Sequence, residues 1–239
     1  HNNYSSIVNE IDSIQHKFYK MGFIESTFSE ILKENDSSFS VTFSLKTKFN
    51  TIYIYYDKTA INSELIKSVS KKINPLYFEL PITEIETVLS LLNTKISDEG
   101  YPFTKLSLTN IKTLAHGIIQ ADLVVHSENQ KRHISSITIK GYEKFPKSFL
   151  KHYLKIKPNQ IFDLSTIKKK ADQLNNLRFA NQIKSPEVLF TKDSTTLYMY
   201  IEKSKSNMFD GFLGFGTNEE TNKLDFNGYL NLSLVNNLN

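Results

Sequence analysis

The chain has 239 residues, 39% hydrophobic and 23% charged, with 17 Phe and 12 Tyr against 8 Gly and 6 Pro; this composition fits folded material rich in strands, with room for two or three small domains. It has no cysteine, which excludes thiolate metal sites, disulfides and cysteine nucleophiles, and it has no 18-residue apolar run, which excludes a transmembrane helix. The net charge of +4 is weak, and the one tight basic run, Lys168-Lys169-Lys170, has the spacing of a solvated helix face, not the clustered stripe of a nucleic-acid binder.

The chain opens at His1 rather than Met and shows no signal peptide, so a processed or trimmed N-terminus is expected. Ile7, Ile11, Ile14, Phe18 and Met21 then follow the spacing of an amphipathic helix, which Gly22 is placed to end in a left-handed cap. Phe39 to Leu45 alternates strictly and predicts a half-buried strand. Thr51 to Tyr56 is a denser β-branched and aromatic strand. A short Lys-rich helix is expected over 63–73 and a longer one over 82–98. The longer helix carries a capping-box spacing at Thr83 and Glu86, an apolar stripe at Ile85, Val88, Leu89, Leu92 and Ile96, and Gly100-Tyr101 at its end. Strands follow at about 104–114, 118–126 and 134–140. A second short helix is predicted over 146–156 and a second longer one over 165–178. Strands at 182–190 and 195–202 turn at Asp193-Ser194.

Two features recur. The helix-ending glycines, Gly22 and Gly100, are 78 residues apart. The tetrapeptide Tyr77-Phe78-Glu79-Leu80 returns 84 residues later as Ile161-Phe162-Asp163-Leu164. A period near 80 is too long for the common solenoids and fits a small domain used in series. The unit reads strand, short helix, longer helix, strand, strand. Modules are expected at 1–48, where the first strand and helix are missing, then at 49–128 and 129–205. No Pro/Gly/Ser-rich linker divides them, which predicts a semi-rigid arm.

After residue 205 the texture changes. Phe209 to Gly216 is Gly- and Phe-rich, Thr217 to Lys223 is turn material, and Leu224, Phe226, Gly228, Leu230, Leu232 and Leu234 alternate with polar residues or Tyr229. Such a strand has the length and alternation of a membrane barrel strand. An edge hairpin on the preceding module shares the pattern.

Catalytic patterns are missing. There is no Gly-x-Ser-x-Gly and no His-Glu-x-x-His. His126 and His133 are seven apart and read as surface histidines rather than a metal pair. Gly211, Gly214 and Gly216 reverse the phosphate-loop order and precede no helix. No enzyme activity, cofactor or metal is expected.

The order β-α-α-β-β, repeated, resembles POTRA domains, the periplasmic modules of BamA- and TamA-type outer-membrane assembly proteins. The third module carries it best. Ile134 to Tyr142 is similar to the first POTRA strand with its closing glycine. Leu154 to Asp163 is similar to the segment between the two helices, and Leu174 to Phe179 to the end of the second helix. Leu177 and Arg178 stand where the family usually has a glycine. The Gly-rich strand from Phe209 resembles the first barrel strand, so 206–239 is expected to begin a barrel that this chain does not complete.

The resemblance implies an α+β fold of tandem POTRA modules leading into a transmembrane β-barrel, anchored in a bacterial outer membrane with residues 1–205 in the periplasm. It implies a non-catalytic role: binding unfolded outer-membrane proteins or a periplasmic or inner-membrane partner by strand addition, and passing clients to the barrel. The alternatives are a module of a dedicated two-partner secretion transporter, or a periplasmic scaffold. The pairing edge would be the strand after the second helix, at about 24–32, 104–111 and 182–190, flanked by Leu106, Leu108, Ile111, Ile183 and Val188. These side chains also read as core. Leu224, Phe226, Leu230, Leu232 and Leu234 would face lipid.

Overall fold

The computed structural model describes residues 4–35, 38–127, 130–204, 207–218 and 223–233. The chain divides into two compact units, one of residues 1–97 and 101–129, the other of 98–100 and 130–239.

The first unit opens with α1 (Tyr4–Lys20). Its end has the predicted form. Phe23 N–H donates to the Phe18 carbonyl and Gly22 N–H to the Tyr19 carbonyl, a Schellman closure that requires the left-handed backbone seen at Gly22, φ +98°. A Cβ there would lie 2.1 Å from the Phe49 carbonyl oxygen, so only glycine fits.

The single strand expected over Phe39–Leu45 is instead two short pieces of an irregular hairpin. They are β3 (Phe39–Ser40) and β4 (Phe43–Ser44), paired with β2 (Leu32–Lys33) and β1 (Thr27–Phe28) respectively. The register slips by one residue between Leu32↔Ser40 and Phe28↔Phe43, as a bulge demands. The Ser29 hydroxyl takes the Thr42 N–H at 3.0 Å, a side-chain bond that competes with the ladder.

The core of the unit lies under a four-stranded sheet. In chain order its elements are β5 (Thr51–Tyr56), α2 (Ser63–Lys67), β6 (Tyr77–Pro81), α3 (Ile85–Asp98), β7 (Lys105–Leu114) and β8 (Ile118–His126). The sheet order is β6-β5-β8-β7, and β5 and β8 run parallel. Ile52, Ile54, Phe78, Leu80, Ile119, Ala121 and Leu123 point inward from the strands against Ile66 of α2 and Val88 and Leu92 of α3. Each of the Ile, Leu, Val and Phe side chains among them contributes about 1.5–3 kcal/mol by leaving water. The capping box expected at Thr83 and Glu86 does not form. A 3₁₀ turn over Ile82–Glu84 starts the helix directly after Pro81, without a side-chain cap.

The second unit repeats the plan with one strand fewer. β9 (Ser136–Gly141), α4 (Lys147–His152), α5 (Leu164–Ala171), β10 (Ala180–Phe190) and β11 (Thr195–Lys203) form a three-stranded sheet ordered β10-β11-β9 beneath the helices. Asp163 caps α5 by accepting the Thr166 N–H at 2.8 Å. Ile134, Leu150, Leu154, Ile156, Ile167, Leu174, Leu197, Met199 and Ile201 form the core. Gly141, φ +93°, ends β9, and a Cβ there would lie 2.5 Å from the Ile201 carbonyl oxygen.

The recurring tetrapeptide holds one role in both units: Phe78 and Phe162 are buried. Its surroundings differ. Tyr77–Pro81 is a full strand, whereas Ile161 makes only an isolated bridge to His133. Beyond β11 the unit continues as an antiparallel hairpin of two 11-residue strands, β12 (Met208–Asn218) and β13 (Lys223–Ser233).

Candidate strand-pairing edges and the terminal hairpin

A strand at the end of a sheet leaves every second N–H and C=O unpaired, so it can accept another strand. The two strands that follow the longer helices, β7 and β10, both occupy such ends.

On β7, Leu106 and Leu108 are half-buried against the core, and Ile111 is exposed. Ile111 sits in a break of register between Thr109 and Lys112. Asn110 there is left-handed, φ +51°, and its amide donates to Asp122 Oδ2 at 2.8 Å. β10 is broken twice, between Gln182 and Lys184 and between Lys184 and Glu187, with Pro186 inside the second break. Ile183 stands exposed at the first break, and Val188 packs on the core. Two of the five expected flanking residues, Ile111 and Ile183, are therefore presented outward, while Leu106, Leu108 and Val188 serve mainly as packing.

The second break of β10 is fastened by side chains that sequence inspection did not find. Lys184 Nζ lies 2.5 Å from Glu187 Oε1 and 4.0 Å from the centre of the Tyr200 ring, and Tyr200 OH donates to Glu187 Oε2 at 2.6 Å. The bond from Lys184 holds the Glu187 carboxyl below its ordinary value, and the bond to Glu187 raises both the Lys184 amine and the Tyr200 phenol. A depressed carboxyl adds stability above its unfolded pKa, and that stability is lost as pH falls through the folded value. The fastening should therefore hold at neutral pH and release below the ordinary carboxylate value of 4.5. A carboxyl-carbon NMR titration is expected to give Glu187 a midpoint below 4.5, and Lys184→Met should return it toward that value. An unshifted midpoint would contradict the pairing.

The hairpin sorts its side chains onto two unlike faces, with Met208, Phe212 and Tyr229 on the more polar one. Cross-strand pairs Phe209↔Leu232, Gly211↔Leu230, Leu213↔Gly228, Phe215↔Phe226 and Thr217↔Leu224 share one face. Pairs Met208↔Ser233, Asp210↔Asn231, Phe212↔Tyr229 and Gly214↔Asn227 share the other. The first face is apolar apart from Thr217 and fully open: Phe226 is 70% exposed and Phe215 76%. Leu224, Phe226, Leu230 and Leu232 lie on it; Leu234 falls outside the described residues. Phe209, Leu213 and Phe215 join them, although their Gly-rich setting hid the alternation. Eleven residues at about 3.3 Å each reach about 36 Å. Tilted by about 40°, they span about 28 Å, enough for the apolar band of a membrane barrel.

Among the described residues no helix is long and apolar enough to cross a membrane, which says nothing of strands. No cluster of three His, Asp or Glu is arranged to hold a metal among them.

The order β-α-α-β-β, with the first and last strands parallel and the last one central, defines a small α+β module with helices on one face. The POTRA family model, described as surface antigen variable number repeat, matches residues 132–204. Residues 132–204 are a POTRA domain. The third to fifth POTRA domains of Haemophilus influenzae BamA superpose with a TM-score of 0.50 at 13% identity, covering 82% of this chain and 80% of that one. The mixed α+β fold is thus that of POTRA repeats. BamA of Haemophilus ducreyi lacking POTRA domains 1–3 gives a TM-score of 0.49 at 16% identity, over 74% of this chain and 32% of its own. CdiB from Acinetobacter baumannii gives 0.39 at 14% identity, over 80% and 36%. No curated protein matches the chain.

Proposed function

We propose that this chain is the periplasmic arm of an outer-membrane protein assembly and insertion factor, joined to the first strands of its transmembrane barrel. It has three POTRA modules, at 1–48, 49–128 and 129–205, and the barrel begins within 206–239. The arm binds unfolded barrel proteins or partner subunits by adding their strands to its sheet edges, and it performs no catalysis. The observation that carries this reading is the hairpin: strands of membrane length, apolar on one open face, begin five residues after the POTRA domain's last strand, at Met208 after Lys203.

Strand addition suits such a task energetically. Five or six backbone hydrogen bonds at about 0.5–1.5 kcal/mol each give a few kcal/mol, and ordering the client offsets much of that. Contact is then weak, tolerant of sequence and reversible.

Depleting the full-length protein tests the reading. Many outer-membrane barrel proteins should fall together in a quantitative membrane profile. Loss of one exported protein with the rest unchanged would instead mark a dedicated transporter, and an unchanged profile with a co-purifying partner would mark a scaffold.

A further inference from the structure

β5 and β9 are the same strand of the same module. Each is the first strand of its β-α-α-β-β order and runs parallel to the last strand of that order, as in Thr51↔Ile118 and Ser136↔Thr196. The outer edge of β5 is occupied: β6 lies on it antiparallel from Thr51↔Pro81 to Tyr55↔Tyr77. Its alternate residues Phe78 and Leu80 enter the core, while Tyr77 and Glu79 stay outside.

In the second unit the matching segment pairs only before β9 begins. His133 bridges Ile161, and Phe162 N–H donates to the Arg132 carbonyl. Asp163 then caps α5 and takes the chain away. From Ser136 to Gly141, no strand among the described residues pairs with the outer side of β9.

The two edges of this sheet are not equivalent. β10 carries Pro186, two bulges and the Lys184–Glu187 pair, all of which obstruct strand addition. The β9 ladder to β11 runs six residues without a break, and its only charged side chain is Lys140. Tyr142 N–H donates to the Ile201 carbonyl, so strand alternation turns the N–H groups of Ile137, Ile139 and Gly141 outward. The side chains of Ile137 and Ile139 are half-buried at the rim of the core, on the helix face. Those of Ser136, Thr138 and Lys140 lie on the opposite face.

We propose that the outer edge of β9 is the pairing site for an extended segment of another polypeptide, apolar at every second residue and lying antiparallel, as β6 lies on β5. A strand there continues the core beside Ile137 and Ile139 with its apolar residues and turns its polar residues to the open face. Unfolded barrel strands have that alternation. This assignment rests on the client-binding reading above and moves the pairing site from the strand after the second helix to the strand before the first.

Residue-resolved hydrogen exchange on the full chain tests it. The probe is a nine-residue synthetic peptide alternating Leu or Val with Thr or Asn; the control has the same composition with the alternation scrambled. The alternating peptide should slow exchange at Ile137, Ile139 and Gly141 by about fivefold, and the scrambled one should not. The chain has no cysteine, so a nitroxide can be confined to the peptide. Placed at the peptide's N-terminus, it should broaden Gly141 more than Ser136. Ile139→Pro, which removes an outward donor, should abolish the slowing at Ile137 and Gly141 while Ile201 stays protected. Slowing confined to β7, β10 or the hairpin, or none anywhere, overturns the assignment. If an unfolded barrel protein still binds the chain in that case, the functional reading stands; if none binds, that reading falls too.

Discussion

Phe78→Ala is expected to destabilise the first unit by about 3–5 kcal/mol, the range for a fully buried aromatic truncated in a core that cannot collapse. Phe78 is wholly buried, pairs with Ile54 on β5 and meets the Tyr56 ring edge-on at 5.8 Å. Its loss opens a cavity beneath β5 and detaches the strand whose outward residue, Tyr77, stacks on Tyr53 at 4.7 Å. Since small domains hold only about 5–15 kcal/mol in total, a large share of the unit's stability goes with it. Urea unfolding followed by circular dichroism should show the midpoint fall steeply. Tyr77→Phe, which keeps the stack, should change it little. A cost below about 1 kcal/mol for Phe78→Ala would mean that β6 is not anchored through this ring.

Leu230→Arg is expected to block assembly of the full-length protein, and Asn231→Arg to be tolerated. The two positions are neighbours in sequence and both strands are open, so composition and exposure cannot separate them. Leu230 is 69% exposed and opposite Gly211 on the apolar face; Asn231 is opposite Asp210 on the polar one. An arginine turned to lipid near the bilayer midplane costs about 2–4 kcal/mol, while one in a water-filled lumen is accommodated. Heat-modifiable migration of the membrane-extracted protein measures the folded fraction. Equal damage from both substitutions, or from neither, would contradict a lipid-facing hairpin.

The helices were legible because an apolar stripe every third or fourth residue suits only a helix against a core, and their glycine ends were legible because Gly22 and Gly100 need left-handed backbone. Gly100 has φ +101°. The POTRA order could be read for the same reason: each element's period is local. The break between β3 and β4 could not be read. Strict alternation from Phe39 to Leu45 fixes the faces of a strand but not the straightness of its partner, and the partner carries an extra residue near Ser29. β6 was hidden by a similar limit. The two tetrapeptides look alike, and their third residue separates them. Asp163 caps α5 and starts a helix at once, whereas Glu79 stays inside a strand that runs from Tyr77 to Pro81.

The pairing edges divided along the same line. The resemblance pointed to the strand after the second helix, and β7 and β10 lie at sheet ends. Their bulges depend on Asn110 turning left-handed and on Pro186 losing a ladder bond, and neither residue announces a bulge in isolation. The Lys184–Glu187–Tyr200 fastening spans a hairpin and becomes visible only once the register is known.

In both units the middle of the sheet is made last. β8 and β11 are the final strands of their modules, yet each is flanked by strands translated earlier; Ser136 waits 60 residues for Thr196, and their hydroxyls then meet at 3.0 Å. Until that point β9 and β10 have nothing between them, and no early hairpin can stand in for the missing neighbour. A nascent chain that stops short of Thr195 therefore stays slack, and closes only when its last segment arrives. Such late closure raises contact order and slows folding.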